Sequence, residues 1–400
     1  MKIFKEVISD NPYIQECDST TFSVLFNDHD RHKNMSFVLA LIKYPEWSAD
    51  IDIFQYLNKS TLDQIRENTL CFFVFDASTE GFSPFQGTYF FDILYSNCEK
   101  YNIPANKIIF TSANLKDNLN IKTYNKKHKI KTSVNVFPFL SFRRMINDLY
   151  EISYSKKSLK KHYSFMKKQI DKTYKGKFLL SLSRVNRQYR SAATCLLSHH
   201  QLGKVANISH DCIHNDDKLA TIHTISKKTG IHHLLVRKWI ENLPLTVDTD
   251  DFKTNHALSI NSQLHYDTLF QIVNETHVDN FRNTSLFYSE KTFRSMIHFH
   301  PFVIYGQQGC NRYLEKLGFK LYTDWIDYDF DNEPDPILRY KKLLESLSNS
   351  YNKIKTLPRS EQIEWRFQNP DVLLHNASLI LDKQYDKKNF EKLFRTLRGK

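Results

Sequence analysis

The chain has 400 residues, more than a usual single core holds, which predicts two domains with additional helices. Hydrophobic residues make up 41% and aromatics 14%, enough for well-packed cores. Lys and Arg number 56 against 44 Asp and Glu, and the net charge of +12 points to acidic partners, whether nucleotide phosphates, nucleic acid or anionic lipid, without choosing among them.

The six cysteines, Cys17, Cys71, Cys98, Cys195, Cys212 and Cys310, form no CxxC pair and have no His at zinc-finger spacing, which predicts a reduced, cytoplasmic setting. The opening residues MKIFKEVISDNPYIQE lack the apolar stretch of a secretory leader. No apolar run approaches the ~20 residues of a membrane span. With nine glycines and neither GxGxxG nor a Walker loop, a nucleotide site here has to use helix N-termini and basic side chains.

In chain order, Phe22–Phe26 reads as a first strand, and Asn27–His32 as a polar loop at its carboxyl end, where open α/β sheets place ligands. His29 and His32 are base candidates there, against the ordinary reading of solvated loop histidines. Met35–Tyr44 is apolar without a decisive period, and Ile51–Glu67 reads as a helix. Leu70–Phe75 is the continuous apolar run of a buried parallel strand. It leads into a polar loop, residues 76–82, whose Asp76 and Glu80 are the carboxylates suited to general-base work. The alternatives are an Asx turn for Asp76 and a helix N-terminal charge for Glu80. Thr88–Tyr101 reads as a helix, and Lys107–Thr111 and Val134–Phe137 as strands, an alternation that predicts a parallel sheet covered on both faces.

Two basic runs follow. One spans Lys122–Lys131, and the other carries Lys156, Lys157, Lys160, Lys161, Lys167 and Lys168 on a helix over Ser158–Thr173. They fit either a nucleic-acid backbone or a solvated helix face. The domain boundary is expected near residues 165–177, giving domains over 1–170 and 171–350 and C-terminal helices over 351–400 that pack across both.

The second domain opens on the strand Phe178–Ser183, with Arg184, Arg187 and Arg190 just beyond it and a helix over Tyr189–His199. Arginines at a strand's carboxyl end beside a helix N-terminus suit a diphosphate, Arg184 most because it is nearest the strand. Val205–Ser209 is a further strand, and Leu219–Lys227 and His233–Asn242 read as helices. His199, His200, His210, His214, His232 and His233 lack paired-ligand spacing, so no metal is expected. The strand Leu269–Val273 ends in Asn274-Glu275-Thr276-His277, where Glu275 suits either a sugar hydroxyl or a capping role.

Residues 285–318 organise this half. Ser289 can cap a helix carrying Thr292, Phe293, Met296, Ile297 and Phe299 at three- and four-residue spacing. Pro301 stops it, Phe302–Tyr305 has strand character, and Gly306 and Gly309 open the turn to a helix over Cys310–Leu317. Glu290 and Lys291 at a helix start fit a nucleotide, the carboxylate facing a ribose diol and the ammonium a phosphate. They equally fit ordinary first-turn chemistry. Phe319–Tyr322 reads as a strand, and the acidic residues from Asp324 to Glu333 lack EF-hand spacing and read as helix N-terminal charge before Pro336–Leu347.

The run Ser289-Glu290-Lys291-Thr292-Phe293, followed by Pro301-Phe302-Val303-Ile304, resembles the donor-site region of GT-B glycosyltransferases, most of all those of the α-1,3-fucosyltransferase type. A looser resemblance is to putative glycosyltransferases of bacteria and large viruses, with an Arg-rich loop, Glu275-Thr276-His277, Glu290-Lys291-Thr292-Phe293 and an Asp-rich segment after Gly318-Phe319, in that order. The resemblance spans roughly residues 178–332. It implies an α/β, GT-B-like fold of two Rossmann-like domains facing a cleft, with a nucleotide-sugar donor on the second. It implies that Glu290 meets the ribose, that Lys291 and Arg184 meet the phosphates, and that a first-domain carboxylate, mapped to Glu80, is the base. No metal cofactor is implied. Ser289 stands where the family has Thr, and the first domain carries no matching motif, so the acceptor stays open between a glycan and modified DNA. From a different class, a non-catalytic nucleic-acid-binding or scaffold protein on a decayed fold is also compatible with the charge.

Overall fold

The structure is a computed structural model that describes residues 2–4, 14–15, 35–42, 50–55, 57–78, 81–87, 89–153, 159–183, 187–213, 218–247, 262–279, 283–382 and 384–398. The expected strand Phe22–Phe26, His29, His32, Glu80, Lys156, Lys157, Arg184 and His214 lie outside the described residues. The chain is mixed α/β with two parallel sheets, the class expected, and it divides into two compact units. The first comprises Met1–Met145, Asn280–Tyr288 and Lys383–Lys400, and the second Ile146–Asp279 and Ser289–Asp382. The boundary expected near residues 165–177 therefore falls inside the second unit, and the C-terminal tail is shared out between the units.

In the first unit, β1 (Lys2–Phe4), β3 (Ser36–Ile42), β4 (Cys71–Ala77), β5 (Ile108–Ser112) and β6 (Asn135–Pro138) lie in that order, all parallel. The short β2 (Ile14–Gln15) pairs antiparallel with β3. The ambiguous segment Met35–Tyr44 is thus a strand over Ser36–Ile42, its last two residues lying outside the described ones. Of the expected helix Ile51–Glu67 only Lys59–Glu67 is helical, because Asn58 caps it by accepting from the Thr61 N–H at 2.8 Å. Every residue of β4 and β5 is buried, as a sheet covered on both faces requires. One cover is helix Phe90–Lys100, which brings Phe90, Phe91, Ile93 and Leu94 against Phe75 and Phe110. On a second cluster, Phe390, Leu393 and Phe394 of the last helix, Lys387–Leu397, pack with Phe37, Phe72, Val74 and Phe137.

In the second unit, β7 (Lys177–Ser183), β8 (Ala206–His210), β9 (Thr268–Asn274) and β10 (Phe302–Tyr305) form a parallel sheet in the order β10-β9-β7-β8. The order reverses direction between β7 and β9, which opens a crevice at their carboxyl ends. The expected strand Phe319–Tyr322 does not form. The backbone N–H and C=O of Lys320 are instead held by the side-chain amide of Asn376, at 2.8 Å each, which stands in for a neighbouring strand.

Candidate nucleotide site at the second sheet

Three chain segments meet where β7 and β9 end. The first is the start of helix Gln188–His199, preceded by Arg187 in extended conformation as its N-cap. The Arg187 side chain, which has no acceptor, does not cap this end, and the first-turn N–H groups carry the partial positive charge of a helix N-terminus. Arg187 Nη1 donates to the Thr276 carbonyl at 3.3 Å. Arg190, one turn on and buried, donates from Nε to the Glu275 carbonyl at 3.0 Å and from Nη2 to Thr276 Oγ1 at 3.2 Å. In these contacts both guanidinium groups donate to neutral oxygens. Burial first and neighbouring Arg187 next, against the opposing charges of Glu275 and Glu290, lower the Arg190 pKa to about 10.

The second segment is the loop after β9. Glu275 is fully buried and turned away from the crevice. Its Oε1 accepts from the Ser289 N–H at 3.0 Å and from Thr292 Oγ1 at 2.7 Å, and its Oε2 from the Thr276 N–H at 3.2 Å. Of its two sequence readings, the capping one is what the geometry displays: Glu275 seats the start of helix Glu290–Ile297. Gly306 lets β10's end come close, since a Cβ there would sit 3.3 Å from the Glu275 Cβ and 3.2 Å from Cys310 Sγ. His277 is pushed down to about 3 by burial, then by Arg187 and Arg190, so its imidazole is neutral at physiological pH.

The third segment is helix Glu290–Ile297 itself. Ser289 caps it, its Oγ accepting from the Lys291 N–H at 3.4 Å. Lys291 Nζ pairs with Glu290 Oε1 at 2.5 Å, with the Lys side chain 30% exposed and the Glu side chain 8%. Lys291 is the accessible member, and Glu290 lies behind it as its counterion. The structure thus brings Arg187, Glu275, Ser289, Glu290 and Lys291 together, with Arg190 and His277. Among these described residues three cations stand with two carboxyl groups, beside two helix N-termini.

Buried Arg339 braces this arrangement from helix Pro336–Ile354. Its Nη2 donates to the carbonyls of Val278 and Gly306, 2.9 Å each, tying the loops after β9 and β10 together. In sequence it is one helical Arg among several, and only its burial reveals it. The Asp-rich segment also has a structural task. Asp331 accepts from Asn311 Nδ2 at 2.8 Å and from the Arg312 N–H at 3.0 Å, capping helix Cys310–Lys316, while Asp335 caps helix Pro336–Ile354. Among the described residues no group of His, Cys, Asp or Glu converges as metal ligands. His210 is buried with Nδ1 2.9 Å from the Ser183 carbonyl, and His232 caps helix His233–Glu241.

In the first unit, Asp76 lies within β4 rather than in the loop beyond it, with no exposed surface. Its Oδ1 accepts from Thr111 Oγ1 at 2.6 Å and from the Ser78 N–H at 2.9 Å, the Asx-turn geometry. Burial raises its pKa. A carboxyl so enclosed does not reach an acceptor hydroxyl as it stands, which corrects the expectation for Asp76.

A cluster that sequence reading missed lies nearby. Asp117, fully buried, accepts from Ser112 Oγ at 2.6 Å, Asn114 Nδ2 at 2.8 Å and Asn120 Nδ2 at 2.7 Å. Both amides also donate to the Thr284 carbonyl, and Asn114 Oδ1 accepts from the Leu286 N–H at 2.9 Å. Residues 284–286 are held as a strand neighbour would hold them. The signal was polar residues three apart, Asn114 just before the helix Asp117–His128 and Asp117 and Asn120 in its first turn.

No protein-family model matches the chain, and the search of curated proteins found no match. Among solved structures the chain is similar to the N-terminal domain of trehalose-6-phosphate phosphatase from Candida albicans, with 10% identity over 96% of this chain and 77% of that one and a TM-score of 0.42. It is also similar to the wall teichoic acid polymerase TagF, with 13% identity over 90% of this chain and 73% of that one and a TM-score of 0.26. Likenesses this loose carry no chemistry across. Among the described residues no helix is long and apolar enough to cross a membrane.

Proposed function

We propose that the protein is a nucleotide-sugar-dependent glycosyltransferase of GT-B type whose donor diphosphate lies in the crevice at the ends of β7 and β9. The observation that carries this reading is the pair Arg187 and Arg190 at the start of helix Gln188–His199, donating to the carbonyl and hydroxyl oxygens of Glu275 and Thr276. A guanidinium seated on such oxygens, as Arg190 is, places a fixed positive charge where a ligand diphosphate can meet it. Lys291 adds a third cation at the neighbouring helix start, and Glu290 behind it takes the ribose hydroxyls when Lys291 turns to phosphate.

In the reaction the bond from the anomeric carbon to the diphosphate oxygen breaks and an acceptor oxygen bonds that carbon. Arg187, Arg190 and Lys291 hold the charge that develops on the leaving group, the task a divalent metal performs in other transferases. The acceptor proton passes to a carboxylate. With Asp76 enclosed, Glu80 takes that role in this reading, and the support for it is the family resemblance.

The test is transfer from a panel of UDP- and GDP-sugars to glycan acceptors, read as released nucleotide with and without chelator. The reading expects chelator-resistant release from one donor class, lost in Glu80→Gln while nucleotide binding persists. A protein that binds nucleotide but releases none with any acceptor would keep the site and lose the reaction.

A further inference from the structure

Helices Lys218–Thr229 and His233–Glu241 form a hairpin after β8, packed on each other through Ile222, Ile225, Val236, Trp239 and Ile240. Its turn is fixed: Gly230 sits at φ +79°, Ser226 Oγ donates to the Ile231 carbonyl at 2.7 Å, and the Ile231 N–H donates to Thr229 Oγ1 at 3.2 Å. At this rigid tip two adjacent leucines face solvent, Leu234 at 55% and Leu235 at 48% exposure. Scattered exposed leucines need no explanation. These two are adjacent, on a helix whose apolar requirement Val236, Trp239 and Ile240 already meet from the opposite face.

The charge around them is one-sided. Residues 218–241 carry five Lys and Arg against one acid, Glu241, a net +4. Arg237 and Lys238 stand three and four residues beyond Leu234, flanking it on the exposed face, and exposed Lys227 ends the partner helix at the same tip. Apolar side chains framed by long cationic ones match a lipid–water interface, where leucines enter the acyl boundary and the cations reach anionic headgroups.

We propose that this hairpin tip is a docking surface for an anionic lipid membrane. The complementarity of the Leu234–Leu235 pair and its cationic frame to such a surface carries the proposal, independently of the donor-site reading. Leucine and cation contributions are both required, since one weak signal gives only marginal membrane attachment.

The full chain is sedimented with phosphatidylcholine vesicles and with vesicles containing phosphatidylglycerol, at low and high salt. Binding is expected to the anionic vesicles alone and to weaken with salt. It falls about tenfold or more both in Leu234→Ser/Leu235→Ser and in Arg237→Glu/Lys238→Glu, with melting temperature and nucleotide binding unchanged. Absence of binding to anionic vesicles, equal binding to neutral ones, or undiminished binding by either double variant overturns the proposal. So does capture of duplex DNA without capture of vesicles.

Discussion

Both units bury charge of both signs, but they hold it differently. In the first, which also buries Arg143 and Arg144, Asp76 and Asp117 sit in webs of hydroxyls and amides, and burial pushes Asp117 up to about 7. In the second, buried bases stand beside the buried Glu275, Glu290 and Asp331. Arg190, Arg339 and Arg366 are buried on backbone carbonyls, and His265, His298 and His300 form a fully buried cluster. There Arg366 Nη1 donates to the His265 and Thr268 carbonyls at 2.5 Å each, and His265 Nδ1 lies 3.0 Å from His300 Nδ1. A buried acid held by neutral donors can keep its proton and act as a structural knot. A buried guanidinium cannot shed its proton, so on carbonyls alone it remains a fixed positive charge. Fixed cations at the ends of β7 and β9 are what suit the second unit to a phosphate-bearing ligand in the reading proposed above.

The comparison breaks first at Lys291. In Lys291→Ala the transfer rate should fall about 100-fold or more, because a cation at the leaving group is lost. Stability should change by no more than about 0.5 kcal/mol, since the side chain is partly exposed, and denaturant melts of the variant check that limit. Unaltered transfer would place the leaving-group charge elsewhere.

The next largest effect is in the first unit. Asp117→Ala strands the Ser112 hydroxyl and the Asn114 and Asn120 amides, with an expected loss of about 2–4 kcal/mol in urea unfolding. Asp117→Asn should cost less, because the raised pKa leaves the carboxyl partly neutral near pH 7. Equal losses in both would deny the knot its protonated character.

Gly81→Ala is expected to lose about 1–3 kcal/mol, as its Cβ would land on the Phe287 ring and displace the held segment 284–288. Chemical denaturation followed by a first-unit probe measures it.

The smallest effect is the pH response, and its sign differs between units. Asp117 has a folded pKa near 7 above an ordinary 3.8, so the first unit loses stability as pH rises through that window. His265, His298 and His300 are held well below 6.5, by burial first and then by surrounding charges, chiefly one another and Arg366. Below pH 6.5 the unfolded histidines take protons that the folded ones refuse, so the second unit loses stability as pH falls. Calorimetry across this range should show opposite slopes for the two units, and parallel slopes would refute the contrast.

The legible parts of the fold are those where burial is complete. β4, β7 and β9 are apolar runs that sheet burial on both faces dictates, and the extents read from sequence match to within two residues at each end. Segment 319–322 has strand composition, but Asn376 satisfies its backbone, and a lone Asn on a distant helix leaves no local signal. Of the candidate site, the helix start at Ser289, Glu290 and Lys291 is legible from capping chemistry, and the placing of the arginines after β7 from their order in the chain, although sequence favours Arg184 and gives Arg190 no special weight. That Glu275 is a brace and Arg339 a tie depends on contacts between segments tens of residues apart, which neither spacing nor composition encodes.

The most direct test of the central claim is a thermal-shift titration of the full chain with UDP, GDP and CMP, with and without divalent metal. A ligand that binds only the folded state raises the melting temperature with its concentration over Kd. The account predicts a rise with one of the diphosphates UDP and GDP and none with the monophosphate CMP, independent of metal and strongly reduced in Arg187→Ala and in Lys291→Ala. No rise with any nucleotide, or a rise that both variants retain in full, would contradict a diphosphate site at the ends of β7 and β9.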